Sequence, residues 1–76
     1  MQELVAHIAK SLVDKPDEVK TSSSEEGENI TIELSVAQED LGKVIGKQGR
    51  TARAMRTLLS AAAEKENKKS RLDILE

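Results

Sequence analysis

Two glycines three residues apart, Gly46 and Gly49, enclose Lys47 and Gln48 and are followed at once by Arg50. Glycine lets the backbone take φ > 0 and approach a ligand with no Cβ in the way, and the Lys and Arg charges at the same spot favour an anion. A turn of this kind between two helices is a place to grip a phosphate backbone. Two glycines in a basic loop also describe a helix C-cap followed by a turn, so the surrounding sequence has to decide.

The distribution of charge is the first such context. The chain has 12 basic and 14 acidic side chains in 76 residues, a balance that does not suggest a polyanionic ligand. The formal charges of residues 1–40, 41–60 and 61–76 are −7, +5 and 0. The one basic segment contains the glycine pair together with Lys43, Arg50, Arg53 and Arg56. An anionic ligand would be steered there and repelled elsewhere.

Composition excludes several classes. Cysteine is absent and there is a single histidine, His7, so disulfide scaffolds, thiolate metal sites and a self-sufficient zinc site are out. No metal or cofactor is expected. Phe, Tyr and Trp are absent, which removes folds that stack bases on aromatic rings. A nucleotide-binding P-loop needs G-x-x-x-x-G-K followed by Ser or Thr; Gly42 to Gly46 is one residue short, and Gln48 follows the lysine. His7 has no nucleophile to serve. Glu25, Glu26 and Glu28 sit in a turn, where solvated carboxylates are expected and a catalytic pair is not. No enzyme is expected. The N-terminus lacks a basic segment leading into an apolar one, and no apolar run approaches a membrane span, so the expectation is a cytoplasmic protein with no membrane partner.

The elements that must position these residues follow from periodicity. Leu4, Val5, Ile8, Ala9, Leu12 and Val13 form one stripe of an amphipathic helix that Pro16 stops. Glu18 to Ser24 is polar except for Val19 and reads as a short edge strand. After a turn at residues 25–29, Ile30, Ile32, Leu34 and Val36 alternate with polar residues as a strand. Leu41, Val44 and Ile45 mark a short helix that Gly46 ends. A third helix starts near Gly49 or Arg50 and runs to about Glu66, with Ala54, Met55, Leu58, Leu59 and Ala62 read as its apolar side. Arg50, Arg53 and Arg56 fall on its other side. Asn67-Lys68-Lys69 breaks it, and Leu72 and Ile74 alternate in a last strand ending at Glu76. The order αββααβ is a small α+β fold, one domain over residues 1–76, with a three-stranded sheet covered on one face by three helices.

Val44-Ile45-Gly46-Lys47-Gln48-Gly49-Arg50 resembles the V-I-G-x-x-G signature of KH domains, whose loop clamps the backbone of about four single-stranded nucleotides. The αββααβ order matches the type II KH arrangement. The longer run from Gly42 to Leu59 resembles the small bacterial single-KH proteins of the KhpA/YlqC family, and the resemblance covers essentially the whole chain. It implies single-stranded RNA binding through Gly46, Lys47, Gln48, Gly49, Arg50, Arg53, Lys43 and Ile45. It further implies a homodimer, a larger Jag-type KH protein as a second partner, and a post-transcriptional or RNA-chaperone role linked to cell elongation, division and cell-wall organisation. The competing reading is a KH-fold dimerisation or recruitment module in which RNA is secondary.

Several residues admit two readings. Val44, Ile45 and Ile32 are candidates for an aliphatic groove floor; Ile32 is read as core, while Ile45 is open between the two. Arg56, the arginine farthest from the loop, is either a ligand contact or part of a solvated face. Ala52 stands where many KH domains carry a bulky aliphatic residue, which argues for a shallow groove. Met55, Leu58, Leu59 and Ala62 span an arc broader than one sheet face needs and are candidates for a two-fold dimer contact.

Overall fold

A computed structural model describes residues Met1–Leu75 as α1 (Gln2–Leu12), β1 (Lys20–Glu26), β2 (Asn29–Ser35), α2 (Leu41–Ile45), α3 (Arg50–Glu64) and β3 (Lys69–Ile74), in the expected αββααβ order. Short 3-10 turns at Pro16–Glu18, Gln38–Asp40 and Lys47–Gly49 join them. Glu76, where the sequence puts the end of the last strand, lies outside the described residues.

β2 is the central strand, antiparallel to β1 and parallel to β3. Strict alternation places Ile30, Ile32 and Leu34 on one face of β2, all buried. The register sets Ile32 beside Leu72. Val5 and Ala9 of α1, Val44 of α2, and Met55 and Leu59 of α3 close the core over that face. Ile32 is therefore core, as the sequence reading favours. Val44 is fully buried as well, while Ile45 is half-buried at the helix end.

β1 lies two residues further along the chain than the Glu18–Ser24 expectation, at the same length. It extends through Glu26, and a two-residue turn, Gly27-Glu28, pairs Glu26 with Asn29. Gly27 takes φ +61, the positive value that a tight hairpin requires at its first central position. Six of its seven residues are exposed, so the ladder to β2 forms this strand, and packing adds little. One side chain anchors it to α1: Gln2 Nε2 donates to the Thr21 carbonyl at 2.9 Å and to Thr21 Oγ1 at 3.1 Å, and Ser23 Oγ donates to Gln2 Oε1 at 3.1 Å.

The structure revises the end of α1 and caps α3 at the expected break. α1 stops at Leu12, ahead of Pro16, because Val13 turns to extended backbone (φ −95, ψ 159); Pro16 instead opens the following 3-10 turn. α3 ends where Asn67 takes φ +58. The Asn67 N–H donates to the Glu64 carbonyl at 3.0 Å and the Lys68 N–H to the Ala63 carbonyl at 2.9 Å. That pair of bonds is a Schellman C-cap with asparagine in the left-handed position.

Candidate nucleic-acid interface

α2 ends in the glycine turn, and its last bond runs from the Gly46 N–H to the Gly42 carbonyl at 2.9 Å. The two glycines serve different needs. Gly46 has φ +78, and a Cβ there would lie 2.2 Å from Thr51 Oγ1 and 2.8 Å from the Thr51 backbone nitrogen. The residue is glycine because α3 begins against it. Gly49 has φ +73 with open space around it, so only its backbone conformation asks for glycine. Gln48 between them also takes the left-handed region, φ 57 and ψ 25. These positive φ values turn the chain sharply from α2 into α3 and leave Lys47 and Gln48 exposed at the tip.

Arg50 follows the turn and donates from Nη2 to Gln48 Oε1 at 3.3 Å. Arg53 lies one turn further along α3 and is exposed. No acidic residue and no side-chain cap occupies the first turn of α3, so the helix dipole adds to the positive charge of the tip. Arg50, Arg53, Ala54, Thr57 and Leu58 line a shallow groove of about 460 Å³.

That groove corrects the assignment of helix faces. The buried residues of α3 are Ala52, Met55, Leu59 and Ala63. Met55 and Leu59, expected as dimer candidates, are 2% and 1% exposed and belong to the core. Leu58 is 51% exposed and Ala54 is exposed, beside the arginines and not opposite them; Ala62 is half-buried. Hydrophobicity alone could not orient a stripe this wide. Ala52 and Ala63 are buried with Met55 and Leu59, and together they mark the edge of the stripe that turns inward.

Lys43 is not directed at the loop. It is ion-paired with Asp14 and lies 3.6 Å from Asp40, and the bond to Asp14 raises its pKa above the usual lysine value. Asp40 is the residue that sequence reasoning missed. It is the buried charged side chain of the molecule among the described residues, 1% exposed. Its oxygens accept the backbone N–H of Asp14 at 3.2 Å and of Lys15 at 3.0 Å. Burial pushes its pKa up, and the two accepted N–H bonds with the Lys43 charge outweigh that and hold it below the usual aspartate value. Asp40 thus ties the segment after α1 to the start of α2 and fixes the helix that presents Gly46. An acid just before an apolar helix start reads as an N-cap, yet its side chain makes no cap bond to its own helix.

The sequence matches the KhpA/KhpB KH-domain family over residues 2–74. The chain belongs to this family. It is 54% identical to the RNA-binding protein KhpA of Halalkalibacterium halodurans over the whole of both chains. It is 57% identical to that of Clostridium perfringens over 99% of this chain and 100% of the relative. Against the RNA-binding protein KhpA of Borreliella burgdorferi it is 53% identical over 97% of this chain and 90% of the relative. The matched region includes the Gly46–Gly49 segment between α2 and α3.

Among the described residues no helix is long and apolar enough to cross a membrane, and no group of three or more His, Cys, Asp or Glu side chains is placed to hold a metal ion.

Proposed function

We propose that this protein binds single-stranded RNA without catalysis, by clamping the sugar-phosphate backbone at the Gly46–Gly49 turn. The observation that carries the reading is the exposed, left-handed turn set at the centre of the basic segment, with Lys47, Gln48, Arg50 and Arg53 around it. Glycine backbone gives close approach and the cations give charge. Ile45, half-buried beside the turn, offers an aliphatic floor, and Lys43 adds positive charge at the rim only if RNA draws it away from Asp14 and Asp40. The RNA-binding names of relatives more than half identical along their length support the same reading. Its test is the double substitution Lys47→Asp with Gln48→Asp: helical CD stays unchanged while RNA affinity is lost. Wild-type affinity in that variant removes the turn from the mechanism.

A second feature supports self-association. Ala54, Leu58 and Ala61 are exposed at i, i+4 and i+7 on α3, a narrow seam on which a second copy of the helix can pack closely about a two-fold axis. Ala62 borders that seam. A dimer brings two basic turns into one particle, and effective concentration then raises RNA avidity with no new contact. The family resemblance extends the reading to a cytoplasmic post-transcriptional role, with a larger Jag-type KH protein as an alternative partner for this seam, and to cell elongation and division.

A further inference from the structure

Arg56 is the arginine of α3 that reaches the sheet: its Nη2 donates to the Leu72 carbonyl at 3.4 Å. The edge it reaches is open. β3 is an outer strand, and the Lys69 and Leu75 N–H groups donate to the Glu28 and Leu34 carbonyls, each at 2.8 Å. In a parallel ladder the N–H and C=O of one residue point to the same side and alternate along the strand. Ser70, Leu72 and Ile74 therefore turn their backbone groups away from the sheet. A cleft of about 360 Å³ runs along this edge, lined by Arg56, Ser70, Arg71, Leu72 and Asp73.

An uncovered residue on a strand edge offers one donor and one acceptor side by side, a pattern that suits a base carrying an amino group next to a ring nitrogen. At Leu72 the acceptor is already engaged by Arg56. Beside the edge carbonyls and Asp73, the middle of the cleft then presents a group of donors, the Leu72 N–H and the remaining N–H groups of a guanidinium that has five. Guanine carries O6 and N7 as adjacent acceptors, and a guanidinium meets both at once; adenine replaces O6 with an amino donor. Uracil and cytosine have no N7.

We propose that Arg56 is a specificity-determining residue that selects guanine in the cleft between α3 and the free edge of β3, donating to O6 and N7. The inference rests on the RNA-binding reading above and assigns it a base preference.

The test is fluorescence anisotropy of the full chain with short oligouridines carrying one central guanine, 7-deazaguanine, adenine or cytosine. The guanine oligonucleotide should bind tightest, by roughly tenfold over adenine. The 7-deazaguanine probe, which lacks only the N7 acceptor, should lose most of that gain. Arg56→Ala, with CD unchanged, should bind all the oligonucleotides alike, near the wild-type affinity for adenine. The 7-deazaguanine comparison uses the wild-type chain and decides the matter even where the variant misfolds. Guanine and 7-deazaguanine binding equally, a preference for adenine, cytosine or plain oligouridine, or a uniform loss with Arg56→Ala would each overturn the proposal, the last by making Arg56 a phosphate contact. A wild type that binds all the oligonucleotides equally, through a turn that the Lys47 and Gln48 aspartates disable, overturns the guanine preference alone. A wild type that binds none of them overturns the RNA-binding reading, and this inference with it.

Discussion

At the scale of single residues the two glycines of the turn separate cleanly. A methyl group at position 46 has no room, because Thr51 Oγ1 lies 2.2 Å from the place its Cβ would take, and the obstructing atoms include the backbone nitrogen at the start of α3. Gly46→Ala should displace the α2–α3 junction and lower stability by more than about 2 kcal/mol. Gly49→Ala meets no atom and carries only the left-handed backbone penalty, about 1 kcal/mol. Urea unfolding of the two variants checks the order, and equal losses would mean that Thr51 relaxes away from position 46. The spacing of the glycines was legible in the sequence. Their different reasons were not, since a clash with a residue five positions on exists only once α3 has taken its direction.

At the scale of elements, Asp40 couples α2 to the segment after α1. Its carboxyl group has a folded-state pKa below its ordinary value, so it contributes stability that is fully present above the unfolded value of about 3.9 and is lost as pH falls through the folded one. Wild-type stability should therefore fall in acid below about pH 4. Asp40→Asn should be less stable than wild type at pH 7, and the gap should narrow at pH 3; urea midpoints at the two pH values measure this, and a constant gap would show that the charge of Asp40 is not what the Asp14 and Lys15 amides require. The faces of α3 give a second contrast. Leu59→Ala removes a core side chain and should cost about 2–5 kcal/mol, whereas Leu58→Ala, half in solvent, should stay within about 0.5 kcal/mol. Matching losses at the two positions would reverse the assignment of faces.

For the whole molecule, the distribution of charge sets the first expectation. With the acidic residues concentrated in the first half of the chain and the cations around the turn, RNA affinity should fall with salt by a log–log slope of about −0.7 per phosphate engaged. Single strands should bind in preference to duplex. Anisotropy titrations at several salt concentrations measure both, and a salt-independent affinity would contradict the phosphate clamp. If two copies meet along Ala54, Leu58 and Ala61, Leu58→Asp should sediment as a folded monomer while the wild type sediments as a dimer. A monomeric wild type at micromolar concentration would leave the turn to act as a single module.

The sequence alone determined the element order, because each element announces itself locally: period-two alternation in β2, the apolar stripe of α1, and the glycines that end α2 and begin α3. It also determined the place of the cations, since Lys47, Arg50 and Arg53 are fixed to the turn by their positions in the chain. What only the tertiary structure decided are contacts between segments far apart in sequence. β1 is a full strand because β2 pairs with it, not because its side chains pack. Met55 and Leu59 face inward with Ala52 and Ala63 while Leu58 faces out, because packing against the rest of the core sets the rotation of α3. Asp40 and Arg56 carry ordinary surface-type side chains whose roles depend on partners sixteen or more residues away, the Asp14 and Lys15 amides and the Leu72 carbonyl. No local pattern encodes such a pairing; it arises when the core brings those backbone groups within hydrogen-bonding reach.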